Sequence, residues 1–232
     1  AMREQRPQIN AKDLSVAYDR VTFGLRSNIT LSPDEKKWTA YHEAGHAIIG
    51  YLSLQTDDII KATIIPRKGF YGFVSTRPID ETHSDNKDHL LGRIKFSLAS
   101  YIAEKMTFGT TSTGVGGGHG TDFYTALQLA QAMVWQYGMG KSGLIGDFNA
   151  AITRGGQFLI SEKTKEILDA DVQDILKTCM TEVEETLGRH KDLLEHFAQA
   201  LLAKEELEYD EIETIFKQFG VKPAARRARP AA

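Results

Sequence analysis

The chain has almost no cysteine: Cys179 stands alone in 232 residues. A single thiol excludes an intrachain disulfide framework and any zinc site built on paired cysteines, and it suits a reducing compartment. Long apolar runs are missing too. No stretch approaches the ~18 residues that a membrane-spanning helix needs, and no signal peptide opens the sequence, so the chain reads as soluble. Strong charge is also absent. The net charge is -3, and Lys222, Arg226, Arg227 and Arg229 fall in the last dozen residues. The body before them is therefore more acidic than the total and offers nothing to nucleic acid. The tail GVKPAARRARPAA reads as a disordered, solvated end rather than an anion-binding arm.

What is present is an ordinary globular composition, 41% hydrophobic and 25% charged, with ample length for a core. Ala1 ahead of Met2 looks like a cloning remnant, and residues 1–12 read as a polar linker or such a remnant. Leu14, Ala17, Tyr18, Val21 and Leu25 recur at helical spacing and predict a short amphipathic helix over 13–25. Ser32-Pro33-Asp34-Glu35 supplies an N-cap, a proline in the first turn and a capping-box glutamate, a strong start for a long helix. Ile59 to Ile65 and Gly69 to Thr76 read as two strands around a turn at 66–69. Further helices are expected from Ser84 or Asp85 to Phe108, from Asp122 to Tyr137, and over 161–189, 191–203 and 209–219. An irregular segment is expected at 148–160. These elements divide loosely into a core over 13–142, a helical part of the same domain over 143–220, and the basic tail, 221–232.

The long helix after Ser32 carries the chemistry. It contains WTAYHEAGHAIIGYLSL, in which one turn separates His42 from His46, so both imidazoles share a side with Glu43 beside them. This is the H-E-x-x-H zinc pattern. Zn²⁺ accepts imidazole nitrogen, a catalytic site keeps a position open for water, and the adjoining carboxylate can take that water's proton. A wet helical face that merely happens to hold these residues is the competing explanation. Tyr41, Ala44, Ala47, Ile48, Ile49, Tyr51 and Leu52 oppose it, because they would bury the helix, and buried imidazoles and carboxylates need partners.

A third protein ligand is required. The metzincin pattern would place glycine at 49 and histidine at 52, where Ile49 and Leu52 stand. Glu104, in AEKM, is the leading candidate by position. Asp122 is the other, at the start of a helix after the glycine-dense TSTGVGGGHGTD, although helix-dipole complementarity is the commoner use of such an aspartate. Spacing leaves both open. Nucleotide binding is excluded: Gly140-Lys141-Ser142 resembles the end of a P-loop, but Trp135 occupies the first glycine's place and a helix precedes it. GVGGGHG fails G-x-G-x-x-G as well.

DRVTFGLRS, AYHEAGHAIIGYL, KATIIPRKGFYGFVSTRP, ASYIAEKMTFG and GTDFYTALQLAQAMVWQYGMG follow one another in an order that resembles the peptidase domain of the FtsH family of ATP-dependent zinc metallopeptidases. The similarity runs over residues 14–215. It implies a mainly α fold with a small β-sheet, a zincin peptidase domain carrying H-E-x-x-H on a long helix. It implies Zn²⁺ held by His42, His46 and Asp122 with Glu43 as the catalytic glutamate, and leaves Glu104 to packing or outer support. It also implies an edge strand near 72–76 that pairs with unfolded or membrane-derived polypeptide substrates, a homo-hexameric ring, and an AAA ATPase upstream or separate. In the parent protein the domain would lie on the cytoplasmic or organelle-internal face of a membrane.

One departure is the longer Gly114 to Gly120 loop with His119, for which an exposed loop histidine is favoured over an added ligand. The rival class is a non-proteolytic peptide-binding or scaffold module with a structural zinc. The intact Glu43 weighs against it.

Overall fold

The computed structural model describes residues 7–67, 69–81, 83–150 and 160–224. The long helix begins where the cap signals place it. Ser32 Oγ accepts from the Glu35 amide at 3.2 Å, and Glu35 Oε2 accepts from the Ser32 amide at 2.8 Å, with Pro33 in the first turn. This helix, α2 (Pro33–Ser53), follows α1 (Ala11–Thr22) and is buried almost without interruption from Ala40 to Tyr51. Strands β1 (Asp57–Thr63) and β2 (Phe73–Pro78) come next, then α3 (Lys87–Phe108), α4 (Asp122–Trp135), α5 (Glu162–Arg189), α6 (Lys191–Lys204), β3 (Glu206–Glu208) and α7 (Tyr209–Gln218). The fold is mainly helical with one small antiparallel sheet, as the sequence indicates. Among the described residues no helix is long and apolar enough to cross a membrane.

The pairing of α2 with α3 positions everything else. A Cβ at Gly45 would lie 2.7 Å from Ala103 Cβ and 2.8 Å from the Ala99 carbonyl oxygen. At the far end of the pair, Gly92 meets the Ser53 carbonyl. The helices therefore run antiparallel and closer than larger residues would permit. Two apolar clusters form around them. One joins α2 to the sheet, α6 and α7, with Phe197 and Phe216 wholly buried and Tyr51 stacked on Phe216 at 3.7 Å. The other joins α3, α4 and the first part of α5, through Met133 and Leu168. α5 gives Leu168 and Val172 to one cluster and Val183 and Leu187 to the other, and so spans both.

Several boundaries differ from the sequence reading. The sheet has order β2-β1-β3, with β2 at an edge, and β3 was not expected: three residues are too short for a periodicity signal. β2 starts at Phe73 rather than Gly69, because Arg67 and Phe70 pair with each other across the turn and Gly72 intervenes. Asn86, not Ser84 or Asp85, caps α3, accepting from the His89 amide. In and just after the N-terminal helix Leu14, Tyr18, Val21 and Leu25 are exposed, while Asp19 of α1 is buried. Residues 1–6, 151–159 and 225–232, hence much of the expected linker, the irregular segment and the basic tail, lie outside the described residues.

Candidate metal centre

His42 and His46 stand one turn apart on α2, with ring centroids 5.0 Å apart. Facing them is Asp122, in the first turn of α4, which α3 and α5 hold against the rest of the fold. Asp122 Oδ2 lies 3.3 Å from His42 Nε2 and 3.3 Å from His46 Nε2. The ligand atoms of the three residues all fall within 4.8 Å of one another. Two imidazole nitrogens and one carboxylate oxygen form the donor set that borderline-soft Zn²⁺ accepts.

The other ring nitrogens are occupied. His42 Nδ1 is 2.7 Å from Glu104 Oε1, and His46 Nδ1 is 2.8 Å from the Phe96 carbonyl oxygen. With Nδ1 donating to these acceptors, both rings present the lone pair of Nε2 to the centre, the tautomer a metal requires. Glu104 is itself fully buried and fixed by the Ser112 amide at 2.6 Å and Ser112 Oγ at 3.0 Å. Asp122 also accepts from Ser100 Oγ at 2.5 Å.

Electrostatics agree with a site for a cation. Burial resists charging of His42, yet Asp122 and Glu104 outweigh it and push the imidazole up to about 10. His46 is likewise raised against its burial, chiefly by Asp122. Burial opposes ionisation of Asp122, but the two histidines hold its carboxyl far below the usual range. The pocket therefore stabilises positive charge at Nε2, which protons or a metal can supply.

Glu43 is buried beside this group, and burial raises its carboxyl above the ordinary value. Its Oε1 abuts the backbone just ahead of β2: a Cβ on Gly72 would sit 2.7 Å from it and 2.7 Å from the Thr63 carbonyl oxygen. Glycine at 72 therefore lets the start of the edge strand lie directly against the Glu43 carboxylate.

Of the residues singled out from sequence, His42, Glu43, His46 and Asp122 converge. Glu104, the leading third ligand by position, is instead hydrogen-bonded to the back of His42. His119 is outside the group and packs its ring against Tyr124 at 4.6 Å. Gly140-Lys141-Ser142 is pinned to α5, Asp171 accepting from the Ser142 amide and hydroxyl. The resemblance places Gly72 at the start of the edge strand; sequence reasoning missed Ser100 and the Phe96 carbonyl. Ser100 carried a signal, a serine in the apolar stripe of α3; a backbone carbonyl carries none.

A helix-borne H-E-x-x-H whose histidines meet a carboxylate from another helix, with the glutamate beside them at a strand edge, is the arrangement found in zincin-type metallohydrolases. More particularly, the chain belongs to Peptidase family M41, whose model matches residues 29–215. It is 34% identical over 220 residues to the ATP-dependent zinc metalloprotease FtsH of Borreliella burgdorferi, covering 91% of this chain and 34% of that protein. It is 34% identical over 228 residues to the mitochondrial inner membrane m-AAA protease component yta12 of Schizosaccharomyces pombe, covering 97% of this chain and 28% of that protein. The FtsH of Bacillus subtilis is 31% identical over 223 residues, covering 91% and 34%. The chain thus spans about a third of the length of these relatives.

Proposed function

We propose that this chain is a zinc-dependent endopeptidase module that cleaves unfolded or membrane-derived polypeptides, with Zn²⁺ held by His42, His46 and Asp122 and Glu43 as general base. The observation that carries this reading is the convergence of three ligand atoms within 4.8 Å, with a buried glutamate alongside. The donors fit the metal: both Nε2 atoms face one carboxylate oxygen, and both Nδ1 atoms are already engaged. When bound, the metal supplies Lewis-acid activation of the scissile carbonyl and of the attacking water.

The chain's own residues do the rest. Glu43 takes the proton from the attacking water and returns it to the leaving amine; burial raises its carboxyl above the ordinary value, which makes it a better proton acceptor. Glu104 and the Phe96 carbonyl keep the imidazole rings turned. β2, at the sheet edge and adjoining Gly72, offers its backbone to an extended substrate, which then lies against Glu43. Pairing through the backbone is indifferent to sequence and suits unfolded chains. By likeness to the FtsH proteins, the module works as part of a homo-hexamer with an AAA ATPase, on the cytoplasmic or organelle-internal face of a membrane.

The test is cleavage of casein by the zinc-loaded chain beside Glu43→Gln and a chelator-treated sample. Cleavage that requires both Glu43 and zinc supports the reading. A zinc-loaded chain that leaves casein intact, or a Glu43→Gln variant that cuts normally, sinks it; the former outcome brings forward the peptide-binding module with a structural metal.

A further inference from the structure

Ser100 is a wholly buried hydroxyl on α3 for which the mechanism above has no use. A buried serine within a helix commonly bonds back to the carbonyl four residues earlier. Here that carbonyl belongs to Phe96, which His46 Nδ1 already engages at 2.8 Å. Ser100 Oγ donates instead across the helix interface to Asp122 Oδ2 at 2.5 Å. This is the oxygen that stands 3.3 Å from both His42 Nε2 and His46 Nε2.

Phe96, Ser100 and Glu104 succeed one another every fourth residue, so they line one face of α3 on consecutive turns. Each partners a different member of the triad: the Phe96 carbonyl takes His46, the Ser100 hydroxyl takes Asp122, and the Glu104 carboxylate takes His42. The two imidazoles are fixed once Nδ1 is engaged. A carboxylate is harder to fix, because its terminal torsion is broad and its two oxygens are interchangeable. Asp122 also opens its helix after a glycine-dense loop, and its neighbour Thr121 makes no side-chain cap bond to that helix.

We propose that Ser100 is the positioning residue for Asp122: its hydroxyl selects Oδ2 as the single oxygen presented to the metal and holds it against rotation. The inference rests on the reading of His42, His46 and Asp122 as the zinc site. Outer partners of metal ligands typically account for ~10–100-fold in metal affinity, and a carboxylate confined to one oxygen leaves a coordination position open.

The experiment measures zinc dissociation by competition with a chromogenic chelator, and the visible spectrum of the cobalt-substituted protein. The samples are the unaltered chain, Ser100→Ala, Ser100→Gly and Asp122→Ala, each confirmed folded by far-ultraviolet circular dichroism. Both Ser100 variants should bind zinc ~10–100-fold more weakly. Their cobalt bands should be weaker, since a carboxylate free to offer both oxygens raises the coordination number. Unchanged affinity and spectrum in the Ser100 variants, with binding lost in Asp122→Ala, overturn the positioning role and leave the zinc site standing. Weaker binding in only one Ser100 variant reports packing, and weaker binding with an unaltered cobalt spectrum removes the single-oxygen role; each overturns the proposal. If Asp122→Ala binds as tightly as the unaltered chain, the zinc-site reading itself fails and takes this one with it.

Discussion

Two clusters of buried charge among the described residues are built on opposite principles. Beneath α1, Asp19 accepts from Lys61 Nζ at 2.8 Å and from Arg67 Nη2 at 3.0 Å, while Lys61 also meets Glu208 at 2.9 Å. Cations and carboxylates there come from α1, β1, β3 and the turn at Arg67, and they answer one another. Around α2, three carboxylates, Glu43, Glu104 and Asp122, surround two imidazoles that carry charge only when protonated. The first group pairs each charge with an opposite one and fastens α1 to the sheet, although Arg67 Nε and Glu206 Oε2 make no hydrogen bond. The second is satisfied only with added positive charge, which is what a metal brings. Buried charge alone therefore does not mark a functional site; an unbalanced sign does.

That contrast is open to attack. Its largest expected effect is on turnover. Glu43→Gln keeps the volume and removes the base, so casein cleavage should fall by about 10²–10⁴-fold, with zinc stoichiometry by atomic absorption unchanged. Asp19→Ala should do the reverse. It removes the acceptor shared by two buried cations and should cost about 3 kcal/mol in denaturant unfolding, while zinc binding is retained; lost zinc binding would mean that the two groups are not independent. Gly72→Ala should come next. A methyl group 2.7 Å from Glu43 Oε1 and from the Thr63 carbonyl must displace one of them, so cleavage should drop by roughly tenfold, the scale of one misplaced catalytic contact, again with zinc retained.

The smallest effect is a pH dependence. Burial works against the Lys61 charge, but Asp19 and Glu208 outweigh it, so its folded pKa lies above the ordinary 10.5. A raised lysine pKa means that the ion cluster's contribution is complete below 10.5 and fades as pH climbs through the folded value. Unfolding midpoints should therefore fall above pH 10.5 in the unaltered chain and fall less steeply in Asp19→Asn. Equal slopes would show that Lys61 is not held by Asp19.

Legibility followed the range of the interactions. The cap at Ser32 is spelled out within four residues, and α2 begins where it says. His42, Glu43 and His46 were visible because helical geometry alone puts them together. Glu104 illustrates the limit: a glutamate on a later helix satisfies the pattern of a third ligand, yet its carboxylate reaches the far nitrogen of His42, 62 residues away. Resemblance to FtsH proteins, rather than spacing, pointed to Asp122. The helical spacing of α1 was legible and its anchor was not: Leu14, Tyr18, Val21 and Leu25 are exposed, while Asp19 is buried.

By itself, the sequence determined the helices, most of their caps, the apolar surfaces they must hide and the face of α2 that groups His42, Glu43 and His46, because each of these depends on neighbours within a turn or two. Only the tertiary structure decided which carboxylate joins the two histidines, that Gly72 brings the edge strand to Glu43, and that one face of α3 supports His42, His46 and Asp122 together. Those outcomes depend on how closely α2 and α3 pack across Gly45, Ala99 and Ala103. A shift of one ångström in that packing would exchange one hydrogen-bond partner for another, and no local periodicity encodes so small a distance.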